Sequence, residues 1–240
     1  MATGHERNAP PIDETAPTTE AMLMYEDDLP RSIEEVRATF ESIADSFDET
    51  RTSAWPSVES FVQDAPHGST ALDLACGNAR HSLDLVDRFD TVVGIDLSRS
   101  LLRLARDNIP SSRLSLIEAS ATDLPLRGDT IDLALYIAAI HHLPDRHRRI
   151  ASLNELDRVL TTGAVALVSA WSIYHDRFNH TEAVDTIVDW TLPSGETVER
   201  FYHLYDTATF EAELDASRLD IDRVWVDTGN CFAVVRPGEE

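Results

Sequence analysis

The sequence predicts an α/β fold in which a mostly parallel sheet is covered by helices on both faces. Three observations support this prediction. Strand-like apolar runs alternate with helix-like patterns between residues 70 and 171. A turn of small residues, Ala75 to Ala79, follows the first of these strands, and the second strand ends in Asp96. Ligands of parallel sheets bind at the carboxyl ends of the strands, so the turn and Asp96 are expected to share one binding site.

The alternating segment sets the order of the predicted elements. Gly163 follows the longest helical pattern and is expected to end that helix as a left-handed cap. The predicted elements are strand 70–75, helix 79–88, strand 91–96, helix 98–109, strand 113–119, strand 130–137, helix 145–160 and strand 163–171.

The flanking segments add helices and a hairpin. Ser32, with Glu35 three residues later, is typical of a helix start, and Pro56 fits the first turn of a second helix. Residues 172–206 show little periodicity but contain many aromatic and histidine side chains. The last segment predicts helix 207–217 and an antiparallel pair of strands at 219–226 and 231–235.

The composition favours one domain preceded by a tail. A chain of 240 residues with 42% apolar content can build one sizeable core. Residues 1–29 predict a disordered acidic tail, and residues 30–240 predict the domain. The formal net charge is −23 and lysine is absent, which favours the cytoplasm of a halophile; an acidic protein of a mesophile is the alternative. No signal peptide is recognisable, and the longest apolar runs are too short to span a bilayer.

The turn favours a cationic nucleoside ligand. A dinucleotide-binding turn has the pattern G-x-G-x-x-G and binds a pyrophosphate, whereas this turn has the single glycine Gly77 and follows the carboxylate of Asp73. S-adenosylmethionine has no phosphate and carries an ammonium and a sulfonium, which Asp73 is expected to attract directly or through water. Asp96 has two acceptor oxygens for the two ribose hydroxyls.

The pattern D-x-A-C-G-x-A at Asp73 to Ala79, followed by G-I-D at Gly94 to Asp96, resembles the class I S-adenosylmethionine-dependent methyltransferases. The resemblance implies a Rossmann-like, doubly wound, seven-stranded sheet that is mostly parallel and closes with a C-terminal antiparallel hairpin. It also implies a cofactor site formed by Asp73, Ala75, Cys76, Gly77, Asp96, Leu97, Ser120, Ala121 and Ile137.

A narrower resemblance covers residues 33–236. The stretches at 48–56, 136–150 and 199–205 are similar to blocks of the tRNA wobble-uridine carboxymethyl methyltransferases. That family methylates the carboxylate of carboxymethyl-uridine in the anticodon loop of tRNA, often with a small zinc-binding activator subunit in a heterodimer. The sequence departs from the family where Ser120 replaces an aspartate that faces the adenine, and at Cys231 and Phe232, where two aromatic residues are usual.

This resemblance implies that Arg51, His141 and Arg200 hold the substrate carboxylate and that Tyr202 stacks on the base or hydrogen-bonds to it. A carboxylate nucleophile is ionised at neutral pH, so no general base is expected. Arg51 has an alternative role as a solvated loop charge, and the imidazole of His141 has one as a helix-capping and packing group. No metal site is expected, because the histidine pair lacks further ligands at suitable spacing.

The run Arg146 to Arg149 is the densest positive stretch. It is interpreted either as a solvated helix face or as a patch for the phosphates of the anticodon loop. Two rival functions stay open: methylation of a small carboxylate or hydroxyl metabolite, and a non-catalytic module that binds the cofactor and a partner.

Overall fold

The computed structural model describes residues 32–239, so the predicted tail at residues 1–29 lies outside the described residues. The helices and strands are α1 (Ile33–Thr50), α2 (Pro56–Asp64), β1 (Thr70–Leu74), α3 (Ser82–Arg88), β2 (Thr91–Asp96), α4 (Arg99–Asn108), β3 (Leu114–Glu118), β4 (Ile131–Tyr136), α5 (Arg146–Val159), β5 (Leu160–Trp171), β6 (Val184–Thr191), β7 (Thr197–Leu204), α6 (Thr207–Asp215), β8 (Asp220–Asp227) and β9 (Asn230–Arg236).

The main sheet has seven strands in the order β3-β2-β1-β4-β5-β9-β8. The first five strands of this order run parallel, while β9 pairs antiparallel with both β5 and β8. This arrangement confirms the predicted fold class and its C-terminal antiparallel hairpin. The chain order reverses between β1 and β4, and this switch point opens a crevice at the carboxyl ends of the strands.

Apolar side chains fill both faces of the sheet. One cluster packs α5 and α6 against β4, β5 and β9, and the other packs α2, α3 and α4 against the opposite face. The two cysteines, Cys76 and Cys231, are buried and free. Among the described helices, none is long and apolar enough to cross a membrane.

The first helix begins as predicted. The Ser32 hydroxyl accepts a hydrogen bond from the Glu35 backbone N–H at 3.2 Å, and the Glu35 carboxylate accepts one from the Ser32 N–H at 3.0 Å. This reciprocal capping box satisfies two of the free N–H groups at the start of α1. The second helix has Pro56 in its first turn, which was also predicted.

Three predictions about local structure were wrong. Gly163 does not cap α5, because α5 ends at Val159 and Leu160 already starts β5; Gly163 adopts φ +85° inside β5, where the pairing with β4 shifts register. Helix α3 starts at Ser82, because residues 79–81 still belong to the turn.

The third correction concerns the segment 172–206, which showed little periodicity in the sequence but contains the antiparallel hairpin β6–β7. Polar and apolar residues do not alternate strictly in β6, because Asp185-Thr186 and Ile187-Val188 interrupt the pattern, and this obscured the strand. The connecting turn includes Gly195 with φ +86°, so the Pro-Ser-Gly sequence at residues 193–195 was the signal from which the hairpin could have been predicted.

Candidate active site

One large cavity lies at the carboxyl ends of β1 to β5. It encloses about 1210 Å³, part of it open to solvent. Helix α1 and the hairpin β6–β7 cover it: the Trp190 indole donates to the Ser46 hydroxyl at 2.7 Å, and the Trp190 ring lies 6.0 Å from that of Phe47. Of the thirteen side chains predicted for the site, twelve line this cavity: Arg51, Ala75, Cys76, Gly77, Asp96, Leu97, Ser120, Ala121, Ile137, His141, Arg200 and Tyr202.

The turn after β1 holds three residues in the left-handed conformation. Ala75, Gly77 and Ala79 have φ values of 56°, 56° and 65°. The two alanines carry a steric cost that glycine would not, roughly 1–2 kcal/mol each. Strain of this kind is concentrated at ligand sites, and here it exposes the backbone of the turn to the cavity.

Asp96 connects the turn to the end of β2. Its two carboxylate oxygens accept hydrogen bonds from the N–H groups of Gly77 and Ser98, each at 2.8 Å. Each oxygen keeps a second lone pair, so the carboxylate can still accept from two ligand hydroxyls. Burial raises the pKa of Asp96 to about 6.

Asp73 is the one predicted residue that does not line the cavity. It lies beneath the turn, where its carboxylate accepts a hydrogen bond from the Ser82 hydroxyl at 2.6 Å. Burial raises the pKa of Asp73 to about 7. Its predicted attraction for a cofactor ammonium stays a prediction. Because the carboxylate lies beneath the turn, its position favours electrostatic attraction over a distance or through a bridging water.

Arg200 is a buried cation on β7 that lines the cavity. Its guanidinium lies 4.7 Å from the Trp190 ring and 5.2 Å from the Tyr202 ring. Within the described part of the chain, it makes no ion pair or side-chain hydrogen bond, and its Nε is buried without a partner. A buried, unpaired guanidinium is costly, which indicates that this position is built for an anionic group.

His141 offers a neutral hydrogen-bond donor in the same wall. Its Nδ1 accepts from the Trp171 backbone N–H at 3.2 Å, so Nε2 carries the ring proton. Burial holds the pKa of His141 well below its usual range. Its Nε2 is buried without a partner among the described residues, and the ring packs 4.8 Å from that of Tyr202.

Asn78 is a residue that the sequence interpretation missed. Its side-chain amide donates to the Asp48 carboxylate and to the Arg51 carbonyl, both at 2.8 Å. These bonds attach the end of α1 to the turn and so fix Arg51, whose guanidinium lies 5.2 Å from the Trp190 ring. The signal in the sequence was an amide between two small residues of the turn.

Arg80 is a second missed residue in the cavity wall. Its guanidinium lies 5.2 Å from the Trp55 ring, and none of the described residues forms an ion pair or hydrogen bond with its side chain. Burial, with a smaller effect of the nearby Arg51 guanidinium, lowers the pKa of Arg80 to about 10. The side chain therefore stays charged at neutral pH and provides a second cation for an anionic group.

Ser120 lies where the third strand meets the cavity. Its hydroxyl accepts from the Thr122 N–H at 3.2 Å and shares a 2.8 Å hydrogen bond with the Thr122 hydroxyl. With its proton on Thr122, the oxygen keeps a lone pair for an amino group. Leu97, Ala121 and Ile137 supply apolar walls around this end of the cavity.

The arginine run at the start of α5 does not form an open basic patch. Arg149 is buried, and its guanidinium pairs with the Glu213 carboxylate at 2.8 Å. Arg148 pairs with Asp145 at 3.0 Å, and Arg146 lies 3.9 Å from Glu213. Because Asp145 and Glu213 offset two of the three arginine charges, this geometry gives little support to the proposed role of the run in phosphate binding.

Comparison with protein families gives a match in the central part of the chain. Residues 72–168 match the family model described as a methyltransferase domain. The described residues have the class I methyltransferase fold. Its fold is shared by a complex of the Haloferax volcanii Trm112 methyltransferase activator with a methyltransferase (TM-score 0.63, 17% identity, 85% of this chain, 98% of that chain). A DhpI-SAM-HEP complex gives a TM-score of 0.65 at 21% identity, covering 85% of this chain and 97% of the other.

Curated relatives show a narrower similarity over about two thirds of the chain. A tRNA (carboxymethyluridine(34)-5-O)-methyltransferase of Saccharomyces cerevisiae is 31% identical over 172 residues, which cover 68% of this chain and 59% of the relative. The Schizosaccharomyces pombe enzyme of the same name is 29% identical, covering 66% of this chain and 68% of the relative. In the Arabidopsis thaliana relative, 31% identical, the match covers 69% of this chain but only 38% of the relative's length.

Proposed function

We propose that the chain transfers a methyl group from S-adenosylmethionine to the carboxylate of carboxymethyl-uridine at the wobble position of tRNA. One observation carries this proposal. The cavity wall contains the buried, unpaired guanidinium of Arg200 beside the neutral His141, whose Nε2–H also lacks a partner among the described residues. A cation and a hydrogen-bond donor together suit a carboxylate, and the relatives named for this reaction share 29–31% identity with the chain.

The cavity also suits the cofactor. Asp96 offers acceptor lone pairs for the ribose hydroxyls, and the left-handed turn at 75–79 presents its backbone to the ligand. Ser120 would accept from the adenine amino group, while Leu97, Ala121 and Ile137 would enclose the ring. Arg80 would attract the carboxylate of the methionine moiety.

The chemistry requires positioning more than proton transfer. Bound S-adenosylmethionine supplies a methyl group on a sulfonium sulfur, which keeps the electron pair of the broken C–S bond as a carboxylate oxygen takes the methyl. The substrate carboxylate is ionised at neutral pH, with an unperturbed pKa of about 4, so no residue has to remove a proton. Arg200, Arg51 and His141 would hold one carboxylate oxygen while the other faces the methyl group.

The reaction's setting is also part of the proposal. We place it in the cytoplasm of a halophile, supported by the net charge of −23 and the absence of lysine. A small zinc-binding activator subunit would form a heterodimer with the chain. Among the described strands, β3 lies at one edge of the sheet, so this edge would be available to pair with the subunit.

Methyl transfer into tRNA tests the function directly. Purified protein, with and without the activator, is incubated with labelled S-adenosylmethionine and tRNA in concentrated KCl, and nucleosides are identified by mass spectrometry. We expect a methyl ester of carboxymethyl-uridine. Arg200→Met should abolish most transfer while keeping cofactor affinity, whereas Arg236→Met, which removes an exposed pair with Asp222, should change neither. Cofactor binding without any methylated tRNA nucleoside would exclude the proposal and favour a small carboxylate substrate.

A further inference from the structure

Four aromatic side chains form a connected group between β5 and β6, here called the aromatic platform: Trp171, His175, Phe178 and His180. The Trp171 and His175 rings stack at 4.9 Å with an interplanar angle of 9°. Phe178 lies 5.9 Å from each of these two rings and 6.3 Å from His180. His180 is exposed and Phe178 is partly buried, so the group extends to the protein surface.

The platform is continuous with the cavity. Trp171 lines the cavity and lies 5.2 Å from Tyr202 and 6.4 Å from His141. Rings therefore follow one another from the proposed carboxylate site to the surface at His180. A ligand that extends from the cavity past Trp171 would meet these rings.

The charges of the domain favour stacking over phosphate contacts at this place. Asp145 and Glu213 offset two of the three arginine charges of the run at the start of α5, and the whole chain carries a net charge of −23. Next to the platform, Asp176 and Arg177 carry opposite charges. Phosphate contacts also weaken steeply with salt, whereas stacking of bases on aromatic rings does not depend on counterion release.

We propose that the aromatic platform stacks the unpaired base of the nucleotide next to the one whose carboxylate is methylated. The proposal rests on the proposed function, since it assumes that the substrate is a single-stranded loop of RNA. Such loops are recognised chiefly by stacking of splayed bases on aromatic side chains. The platform would thus select an RNA loop over the free nucleoside, without any need for a basic surface.

A double-mutant cycle between protein and RNA tests the proposal. The RNA probe is a labelled anticodon stem-loop that contains carboxymethyl-uridine, compared with two versions that lack the base on the 5′ or the 3′ side of that residue. The protein variants are Phe178→Ala and His180→Ala, with Leu83→Ala as a control at an exposed apolar residue on α3, outside the platform. Binding is measured by fluorescence anisotropy with S-adenosylhomocysteine present.

We expect the wild-type protein to lose about 5- to 100-fold in affinity when one neighbouring base is removed. Phe178→Ala should lower affinity for the intact loop by a similar factor and should abolish the effect of removing that base. This coupling should persist at molar KCl, because it involves no phosphate contact. Leu83→Ala should behave as wild type in every comparison.

The proposal is refuted if the affinity losses caused by the protein variant and by the missing base are independent, so that they add in free energy. Phe178 contacts a small apolar cluster of the hairpin, so unchanged affinity for S-adenosylmethionine is required of each variant as a test of folding. If Phe178→Ala fails that requirement, the cycle with the exposed His180→Ala decides the question by the same criterion. Wild-type methylation of the stem-loop without coupling refutes the platform alone, whereas absence of methylation and of loop binding refutes the proposed function.

Discussion

Replacing Arg80 by glutamine is expected to weaken cofactor binding at one chemical group, the carboxylate of the methionine moiety. Arg80 lines the cavity beside the turn that follows β1, and its guanidinium packs against Trp55 at 5.2 Å. No described carboxylate lies within ion-pair distance of it. Because its pKa of about 10 keeps it charged at neutral pH, it is available to pair with a ligand anion.

The magnitude follows from the kind of bond that is lost. A hydrogen bond to a charged group contributes about 1.5–3 kcal/mol. Since about 1.4 kcal/mol is a tenfold change in affinity, Arg80→Gln should raise the Kd for S-adenosylmethionine about 10- to 150-fold. The glutamine amide can still donate one neutral hydrogen bond, which favours the lower part of this range.

Titration calorimetry with two ligands separates this role from a structural one. S-adenosylmethionine carries the carboxylate, and decarboxylated S-adenosylmethionine lacks it. The loss in Arg80→Gln should appear with the first ligand and be nearly absent with the second. Arg223→Gln is the matched control, because Arg223 also lies over an indole, that of Trp225 at 4.2 Å, but outside the cavity. Equal losses with both ligands would show that Arg80 only supports the fold and would refute the reasoning.

Three further predictions concern buried charges. Arg149→Met should lower the free energy of unfolding by about 3 kcal/mol, because it leaves the buried Glu213 carboxylate with only the exposed Arg146 guanidinium, 3.9 Å away, as a cation; denaturant titration measures this, and a loss below about 1 kcal/mol would contradict it. Cofactor affinity should fall as the pH drops through about 6, because a protonated Asp96 cannot accept hydrogen bonds from both ribose hydroxyls. A Kd that does not change between about pH 5 and about pH 7 would contradict this. The free protein should respond in the opposite direction: its folded state binds the Asp96 proton more tightly than the unfolded state does, so stability decreases as the pH rises from about 4 to about 6.

The sequence was sufficient to predict the sheet and to place the turn at 75–79 and Asp96 at the same end of it. Buried parallel strands are continuous apolar runs, so β1, β2 and β4 were recognisable one by one. The order of elements then placed the turn at 75–79 and Asp96 at neighbouring strand ends. The observed hydrogen bond from the Gly77 N–H to Asp96 joins these two features directly.

The cover of the cavity was harder to predict, because it depends on contacts between distant segments. The hairpin β6–β7 carries Arg200 and Tyr202, yet pairs of adjacent polar residues interrupt the alternation in both strands, so they lack a clear strand pattern. Similarly, the side chain of Asn78 reaches a carbonyl 27 positions earlier in the chain, and no local pattern reports such a bond. The arginine run of α5 misled for the same reason, since its partner Glu213 lies 64 positions away from Arg149.

The use of arginine for all side-chain cations other than histidine suits both the surface and the interior of the domain. Exposed pairs such as Arg236 with Asp222 are weakened by salt, so they contribute little at molar concentrations. In the cavity, by contrast, Arg200 and Arg80 lie against tryptophan rings at 4.7 Å and 5.2 Å, where ions in solution have little access. A planar guanidinium keeps its charge in such a place, whereas a buried lysine ammonium readily loses its proton. The site can therefore retain its attraction for carboxylates in a solvent that screens most of the acidic surface around it.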